Sequence, residues 1–433
     1  MIQKIRIGKL GWQFVFSLVT ISFFIQCSST NLREDARFSY RNVYKDQYEK
    51  GKGGIIRLTL ERGETYGGTI TPDGKYLFFT SNRSGNFDIY MRALDDVEII
   101  PITRSATNQK EPAISPDGKY LLYIDDELDP DGDIILLRVK PDKYVKDAKK
   151  GKMPKAEAGG LFSKKKYLTN NPKKRVRSRE SNPVWSPDGE QIAFASDMTS
   201  PEGSPFGPGL GAIQNIWVMD PDDPLGARQI TKNGGVMPSF SPDGKRIVYI
   251  SYQNPNSYGD VFEVDIATGI TRQITSGSAL DLNPSYTPDG KGIVFTRINE
   301  DTNGDGVVDR KDFGQIIRYD FPEGDVFPTA KMIADQQKLQ ALKRERAQNT
   351  ESKTKQNSLE TKESTSERKS EQEELENQIP IIKGGKFRPL TVNGLNVFDT
   401  RTSNFVGGSV IFALAQGEDI NVAMIPLTGE VPK

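Results

Sequence analysis

Short apolar runs alternate with polar turns along most of this chain, and the alternation itself repeats. Five near-identical stretches carry it: Thr71-Pro72-Asp73-Gly74-Lys75-Tyr76-Leu77-Phe78-Phe79, Ser115-Pro116-Asp117-Gly118-Lys119-Tyr120-Leu121-Leu122-Tyr123, Ser186-Pro187-Asp188-Gly189-Glu190, Ser241-Pro242-Asp243-Gly244-Lys245-Arg246-Ile247-Val248-Tyr249 and Thr287-Pro288-Asp289-Gly290-Lys291-Gly292-Ile293-Val294-Phe295. In each turn Pro presets φ, Asp bonds its own backbone and Gly accepts a positive φ; the β-branched and aromatic run that follows is strand-forming. That is one hairpin per repeat. Successive turn prolines lie 44, 71, 55 and 46 residues apart. The bare unit of about 45 residues is the length of a four-stranded propeller blade, and the excess marks insertions.

A second element sets the number of blades. Short strands of the form basic or polar residue, any residue, Leu or Ile, Thr supply six such segments: Arg57-Leu58-Thr59, Pro101-Ile102-Thr103, Tyr167-Leu168-Thr169, Gln229-Ile230-Thr231, Gln273-Ile274-Thr275 and Pro389-Leu390-Thr391. Between each turn and the next such segment lies a third strand, as in Asp88-Ile89-Tyr90-Met91 or Asn215-Ile216-Trp217-Val218. After Thr391 the Pro-Asp-Gly turn is missing, but Gly408 to Ala413 and Asp419 to Met424 preserve the strand pair of a degenerate sixth blade. Its outer strand is supplied by Ile55 to Leu60, which removes the exposed edges of an open array. The expected fold is all-β: a six-bladed β-propeller of four-stranded antiparallel blades, closed by pairing of the N-terminal strand with the last blade.

The repeated Ser-Pro-Asp-Gly-Lys-x-Ile-x-Phe, followed by Asx-Ile-Tyr or Asn-Ile-Trp and then Arg-Gln-Ile-Thr, resembles the β-propeller repeat of the TolB family, shared with the propeller domains of prolyl oligopeptidases and tricorn proteases. The resemblance covers residues 55 to 430 apart from two insertions. The family's Tol-Pal propeller is a periplasmic protein that binds other envelope proteins, including a peptidoglycan-associated lipoprotein, so the resemblance implies a protein-binding propeller whose partner is an envelope protein or peptide. The peptidase relatives add an α/β-hydrolase domain with a Gly-x-Ser-x-Gly elbow and a His; this chain has no such elbow and no His. A non-enzymatic scaffold is therefore expected. The alternatives are a regulatory or catalytic envelope propeller and a surface adhesin.

The N-terminus reads as an export signal. Lys4, Arg6 and Lys9 precede the mostly apolar run Leu10 to Ile25, which ends at Gln26-Cys27-Ser28-Ser29. The segment resembles a bacterial lipoprotein signal with Cys27 as the lipidated first mature residue. Gln26 and Phe24 loosen the usual box, as in spirochaetes. Residues 1–26 are then the signal peptide, 27–54 a lipid-anchored tether and 55–433 the propeller. The expected location is the bacterial cell envelope, anchored in a membrane, either the periplasmic or the surface side of an outer membrane.

Composition narrows the chemistry. With no His and one Cys, the chain has no Ser-His-Asp or Cys-His centre, no His metal ligand and no intrachain disulfide. The 58 basic and 58 acidic residues cancel, so no global field recruits nucleic acid. A monomer without an organic cofactor is expected.

One insertion carries metal chemistry. Asp301, Asn303, Asp305, Gly306, Val307, Asp309 and Asp312 match the oxygen spacing of an EF-hand loop, with a terminal Asp in place of Glu. The spacing predicts a Ca2+ loop between two strands, ligated by Asp301, Asn303, Asp305, the carbonyl of Val307, Asp309 and Asp312. A weaker acidic cluster, Asp125, Asp129, Asp131 and Asp133, stands at the equivalent place in blade two and is either a second cation site or a solvated turn. Two further insertions differ in charge. Residues 141–180 hold 14 Lys and Arg against 4 Asp and Glu, suited either to phosphate-bearing headgroups or an acidic partner, or to a solvated loop. The second spans 331–385; its stretch 341–378, with 8 basic, 9 acidic and five apolar residues, is too polar to fold alone.

Overall fold

Each middle strand is apolar on both faces, as in Tyr76 to Phe79, because each blade is packed between two others. The computed structural model describes residues 55–59, 63–96, 98–152, 165–169, 178–198, 213–252, 258–334, 338, 384–391, 396–403, 408–416 and 419–427. Blade one is β2 (Thr65–Ile70), β3 (Tyr76–Ser81), β4 (Asp88–Ala93) and β5 (Ile99–Pro101), hydrogen-bonded in that order from the axis outward. Blade two is β6 (Gln109–Ile114), β7 (Tyr120–Asp125), β8 (Asp133–Arg138) and β9 (Lys165–Tyr167). Blade three is β10 (Glu180–Trp185), β11 (Ile192–Ser196), β12 (Asn215–Met219) and β13 (Arg228–Gln229). Blade four is β14 (Val236–Phe240), β15 (Arg246–Ser251), β16 (Asp260–Asp265) and β17 (Thr271–Gln273). Blade five is β18 (Leu280–Tyr286), β19 (Gly292–Ile298), β20 (Gln315–Asp320) and β21 (Lys386–Pro389). Blade six joins β22 (Asn396–Ser403), β23 (Ser409–Gln416) and β24 (Asp419–Pro426) to β1 (Ile56–Arg57). The fold is thus the six-bladed propeller that the repeats predict, and β1 closes it, with Ile56 opposite Met424 and Arg57 opposite Ala423.

The core is divided among the blade interfaces. Among the described residues six apolar clusters each join two neighbouring blades, for example Phe78, Ile89 and Met91 of blade one with Leu121, Tyr123 and Ile135 of blade two. The last of them packs Leu58, Val422 and Met424 against Ile70, Leu77 and Phe79, so the closing segment is part of the core. Burial of whole Phe, Leu and Ile side chains contributes about 1.5–3 kcal/mol each, which makes the interfaces the main source of stability.

Both repeated motifs are hydrogen-bonding devices. In the turns the Ser or Thr hydroxyl donates to the Asp two residues on, at 2.6 Å for Thr71, Ser115 and Ser241 and 2.5 Å for Ser186 and Thr287. The same hydroxyl accepts the N–H that opens the second strand, such as that of Tyr120 at 2.9 Å. In the Ile-Thr segments the Thr hydroxyl accepts an N–H near the start of the third strand: Ile89, Ile134, Ile216, Val261, Ile316 and Val422 donate to Thr103, Thr169, Thr231, Thr275, Thr391 and Thr59 at 2.8 to 3.0 Å. An Asx just before that donor takes the hydroxyl proton in turn in blades one, two, three and six, as Asp88 does from Thr103 at 3.1 Å.

The connections sort to two faces. The Pro-Asp-Gly turns and the links from third to fourth strand lie on one, called the turn face here; the links from second to third strand lie on the other, the loop face. The stretch 141–180 is divided by β9. Its first part opens with helix α1 (Pro141–Ala148) on the turn face instead of a featureless loop, and Tyr144, Val145 and Ala148 pack on the interface of blades one and two. The charged insertion leaves from the end of β20 on the turn face, and most of 331–385 lies outside the described residues. The segment leading into it is held by an ionic network: Arg272, 2 % exposed, pairs with buried Glu263 and with Asp325 at 3.0 Å, while Arg246 reaches Glu263 at 3.2 Å and the Tyr286 hydroxyl donates to it.

Candidate functional site

The axis of the propeller is built from one defect repeated six times. Each innermost strand carries a β-bulge, two residues opposite one on the second strand. The paired residues are Gly67-Gly68, Glu111-Pro112, Asn182-Pro183, Met237-Pro238, Asn283-Pro284 and Asp399-Thr400, and the residue facing each pair is aromatic: Phe79, Tyr123, Phe194, Tyr249, Phe295 and Phe412. The first residue of every bulge is left-handed, with φ of 67°, 57°, 54°, 56°, 49° and 53° in blade order. Five of these are not glycine. Proline is tolerated at the next position because the innermost strand has a free edge and a bulge needs no ladder bond there. Blade one uses Gly68, where a Cβ would stand 2.7 Å from Val422 and 2.9 Å from Ile411.

These left-handed residues form a ring whose members bond to one another. Asp399 Oδ2 accepts the Gly67 N–H at 2.6 Å, Glu111 accepts the Asn182 N–H, and Met237 Sδ accepts the Asn283 N–H at 3.3 Å. Blades six, two and four thus reach to blades one, three and five. Burial pushes the Glu111 carboxyl above the usual carboxylate range, against the Asn182 N–H and the Arg401 charge that favour its ionised form. The Tyr66 hydroxyl is raised as well, first by burial and then by Glu111 and Asp399. Strained backbone of this kind persists only where the surroundings over-determine it, and it concentrates at ligand clamps and active sites.

Between the ring and the turn prolines lies an axial cavity of about 410 Å³. Asn182, Met237 and Asn283 of the ring line it, with Pro72, Pro116, Pro187, Pro242 and Pro288 around the mouth. Its walls carry hydroxyls, including Thr69, Ser239, Ser285 and Thr402, and the rings of Trp185 and Tyr286. Among the described residues Arg401 is the one charged side chain in the lining, and it donates to the Pro112 carbonyl at 3.0 Å. Such a lining gives apolar contact and hydrogen bonding, and Arg401 also pairs with Asp399 of the ring at 3.7 Å. Sequence reasoning did not find this site. The signal is present as Pro-x-x-x-Pro-Asp-Gly in blades two to five.

The 301–312 loop lies on the loop face between β19 and β20. Asp301 accepts the N–H groups of Gly304 (2.6 Å) and Gly306 (2.7 Å), Asn303 that of Asp305 (2.8 Å), Asp305 that of Val307 (3.0 Å) and Asp309 that of Lys311 (2.8 Å). Gly304 and Gly306 take φ of +77° and +88°. Asp312 accepts Thr302 and Asn303 N–H on one oxygen and Asp309 N–H on the other, and these bonds, led by that from Asp309, hold its carboxyl below the usual range. In the acidic cluster of blade two, Asp125 and Asp133 face each other across β7 and β8. Asp125 is paired with Lys165 at 3.2 Å, Asp133 accepts the Thr169 hydroxyl at 3.4 Å, and Asp129 accepts the Asp131 N–H at 3.1 Å. Among the described residues no three His, Cys, Asp or Glu side chains are gathered as a metal-holding group. Cys27, the signal and the tether lie outside the described residues. Among the described residues no helix is long and apolar enough to cross a membrane.

No family model matches the chain. It is similar to proteins described as TolB homologs from two green bacteria: 26% identical over 225 residues to that of Chlorobium luteolum, covering 50% of this chain and 39% of the relative, and 28% over 180 residues to that of Chlorobium chlorochromatii, covering 41% and 31%. The chain therefore matches less than half the length of these relatives. Among solved structures, a putative TolB from Agrobacterium tumefaciens aligns with a TM-score of 0.44 at 19% identity, covering 61% of this chain and 83% of that one. The homology to TolB propellers is distant and partial.

Proposed function

We propose that this chain is a non-enzymatic, lipid-anchored binding propeller of the bacterial envelope, which takes a protein or peptide segment into the axial cavity through the mouth framed by the turn prolines. The observation that supports this most is the lining. Hydroxyl, carboxamide and proline groups suit an extended chain. The anchor is Cys27, and the partner is an envelope protein or peptide. A photo-crosslinking residue at Ser239, inside the cavity, captures the partner in intact cells; the same probe at Lys386 on the outer strand of blade five does not. Equal capture at both positions, or capture unaffected when Ser285→Phe fills the cavity, counts against it.

Ca2+ is proposed for the 301–312 loop. The side chains at 301, 303, 305 and 309 already shape the loop by bonding its N–H groups, and Gly304 and Gly306 supply its left-handed turns. Asp301, Asn303, Asp305, the Val307 carbonyl, Asp309 and Asp312 would hold the ion, whose charge would offset the crowding of four carboxylates in one turn.

A further inference from the structure

We infer that helix α1 and its flanks are a docking surface for anionic phospholipid headgroups. From Arg138 to Lys152 there are seven basic residues (Arg138, Lys140, Lys143, Lys146, Lys149, Lys150 and Lys152) against two acidic ones, Asp142 and Asp147. All seven basic residues are exposed. Their presentation is fixed: Tyr144, Val145 and Ala148 seat the helix on blades one and two, the Tyr76 hydroxyl donates to Asp142 at 2.5 Å, and Lys149 pairs with Asp96 at 3.4 Å. The packed side of the helix leaves Lys143 and Lys146 outward, with Lys150 one turn further on. A rigid row of ammonium groups gains attraction from a charged surface without first ordering a loop.

The occupant follows from topology. Strand β1 runs from the Met424 level to the Ala423 level of β24, so the chain enters blade six from the turn face. Helix α1 projects from that same face beside blade one, the next blade round. The described chain at Ile55, and the lysine row, therefore stand on one side of the propeller, at blades six and one. A membrane holding the anchor is the negatively charged surface that this row meets. Helix α1 sits at the rim, against the outer strand of blade one. This inference uses the lipid-anchor reading only to choose the occupant, and the lysine contact is measurable without it.

The test uses the full chain with Cys27→Ser, which cannot be acylated, and sedimentation with vesicles of phosphatidylcholine alone or with about one third phosphatidylglycerol. Binding to the mixed vesicles exceeds that to neutral ones and weakens as salt rises. Each lysine is worth about fivefold, so Lys143→Gln, Lys146→Gln and Lys150→Gln together lower it on the order of a hundredfold. Equal binding by the triple variant, or equal binding to neutral vesicles, overturns the proposal. So does binding to soluble polyglutamate as strong as to the vesicles, which would point to an acidic protein instead. Failure of Cys27 to incorporate a labelled fatty acid in cells would remove the anchor while leaving the vesicle result standing.

Discussion

Thr59 and Val422 are 363 positions apart, yet the Val422 N–H donates to the Thr59 hydroxyl at 2.9 Å and that hydroxyl donates to Asn421 at 3.1 Å. The five other blades make the same N–H to Thr hydroxyl bond within one stretch of chain; here the two ends of the propeller make it. Thr59→Val leaves the Val422 N–H buried without that acceptor, which costs about 1–3 kcal/mol. The urea midpoint falls accordingly, and Thr59→Ser restores most of it. An unchanged midpoint in Thr59→Val would mean the clasp contributes nothing to closure.

Glu180, 3% exposed, begins the innermost strand of blade three and accepts the Ser196 hydroxyl at 2.8 Å. Burial raises its carboxyl from 4.5 to about 8. The folded state thus holds the proton more tightly than the unfolded chain. The stability this contributes is complete below pH 4.5 and is lost as pH rises through about 8, a difference on the order of a few kcal/mol. Glu180→Gln, which cannot ionise, raises the melting temperature at pH 8 and leaves it nearly unchanged at pH 4. A parallel pH profile for the two proteins would place the titration elsewhere.

The turn aspartates titrate with the opposite sign. Partial burial works against ionisation in Asp73, Asp117, Asp243 and Asp289, yet hydroxyl and N–H bonds outweigh it; in Asp188 the bond from Ser186 leads. All five carboxyls are lowered from 3.8, so their stabilisation is present above that value and disappears as pH falls through the lowered ones. Denaturant midpoints decline below about pH 4. Asp188→Asn makes the decline shallower.

Arg272→Ala leaves Glu263 with Arg246 and the Tyr286 hydroxyl but without its most buried counter-charge. Removing one partner of such a pair costs about 3–5 kcal/mol. The retained Arg246 contact puts the expected loss near the lower figure, read as a drop in melting temperature. Since Asp325 is also paired with Arg272, Arg272→Ala frees the segment that leads into the charged insertion, which limited proteolysis near residue 325 detects as faster cleavage.

Ca2+ titration followed by calorimetry gives a saturable isotherm for the wild type. The double variant Asp301→Ala, Asp305→Ala gives none. Identical isotherms would exclude the 301–312 loop as the binding site.

Much of the architecture was legible because each blade repeats hydrogen-bonding groups that cannot be varied freely. The turn Ser-Pro-Asp-Gly and the terminal Thr each satisfy a backbone N–H, so they recur as fixed letters even where Lys75 becomes Glu190. The apolar positions between them need only volume. Blade six was legible without its turn because β1 supplied the sixth Ile-Thr-like segment. The axial ring is marked in the sequence only by the proline at its second bulge position in blades two to five, because a bulge is a backbone event: its left-handed positions share no side chain and hold Gly67, Glu111, Asn182, Met237, Asn283 and Asp399. Helix α1 was hidden for a different reason. Its apolar face is only Tyr144, Val145 and Ala148, too narrow a stripe for a sequence pattern, and it is stable because blades one and two cover that face.

Pairing of residues 56–57 with 423–424 also has a temporal side. Among the described strands the first to be synthesised finds its partner last, so until blade six is made the growing stack exposes an unsatisfied edge at each end. Closing a loop of that length is slow, and open edges invite pairing with other chains. Shielding of the nascent chain until blade six is made would therefore matter more to its yield than the stability of any single blade.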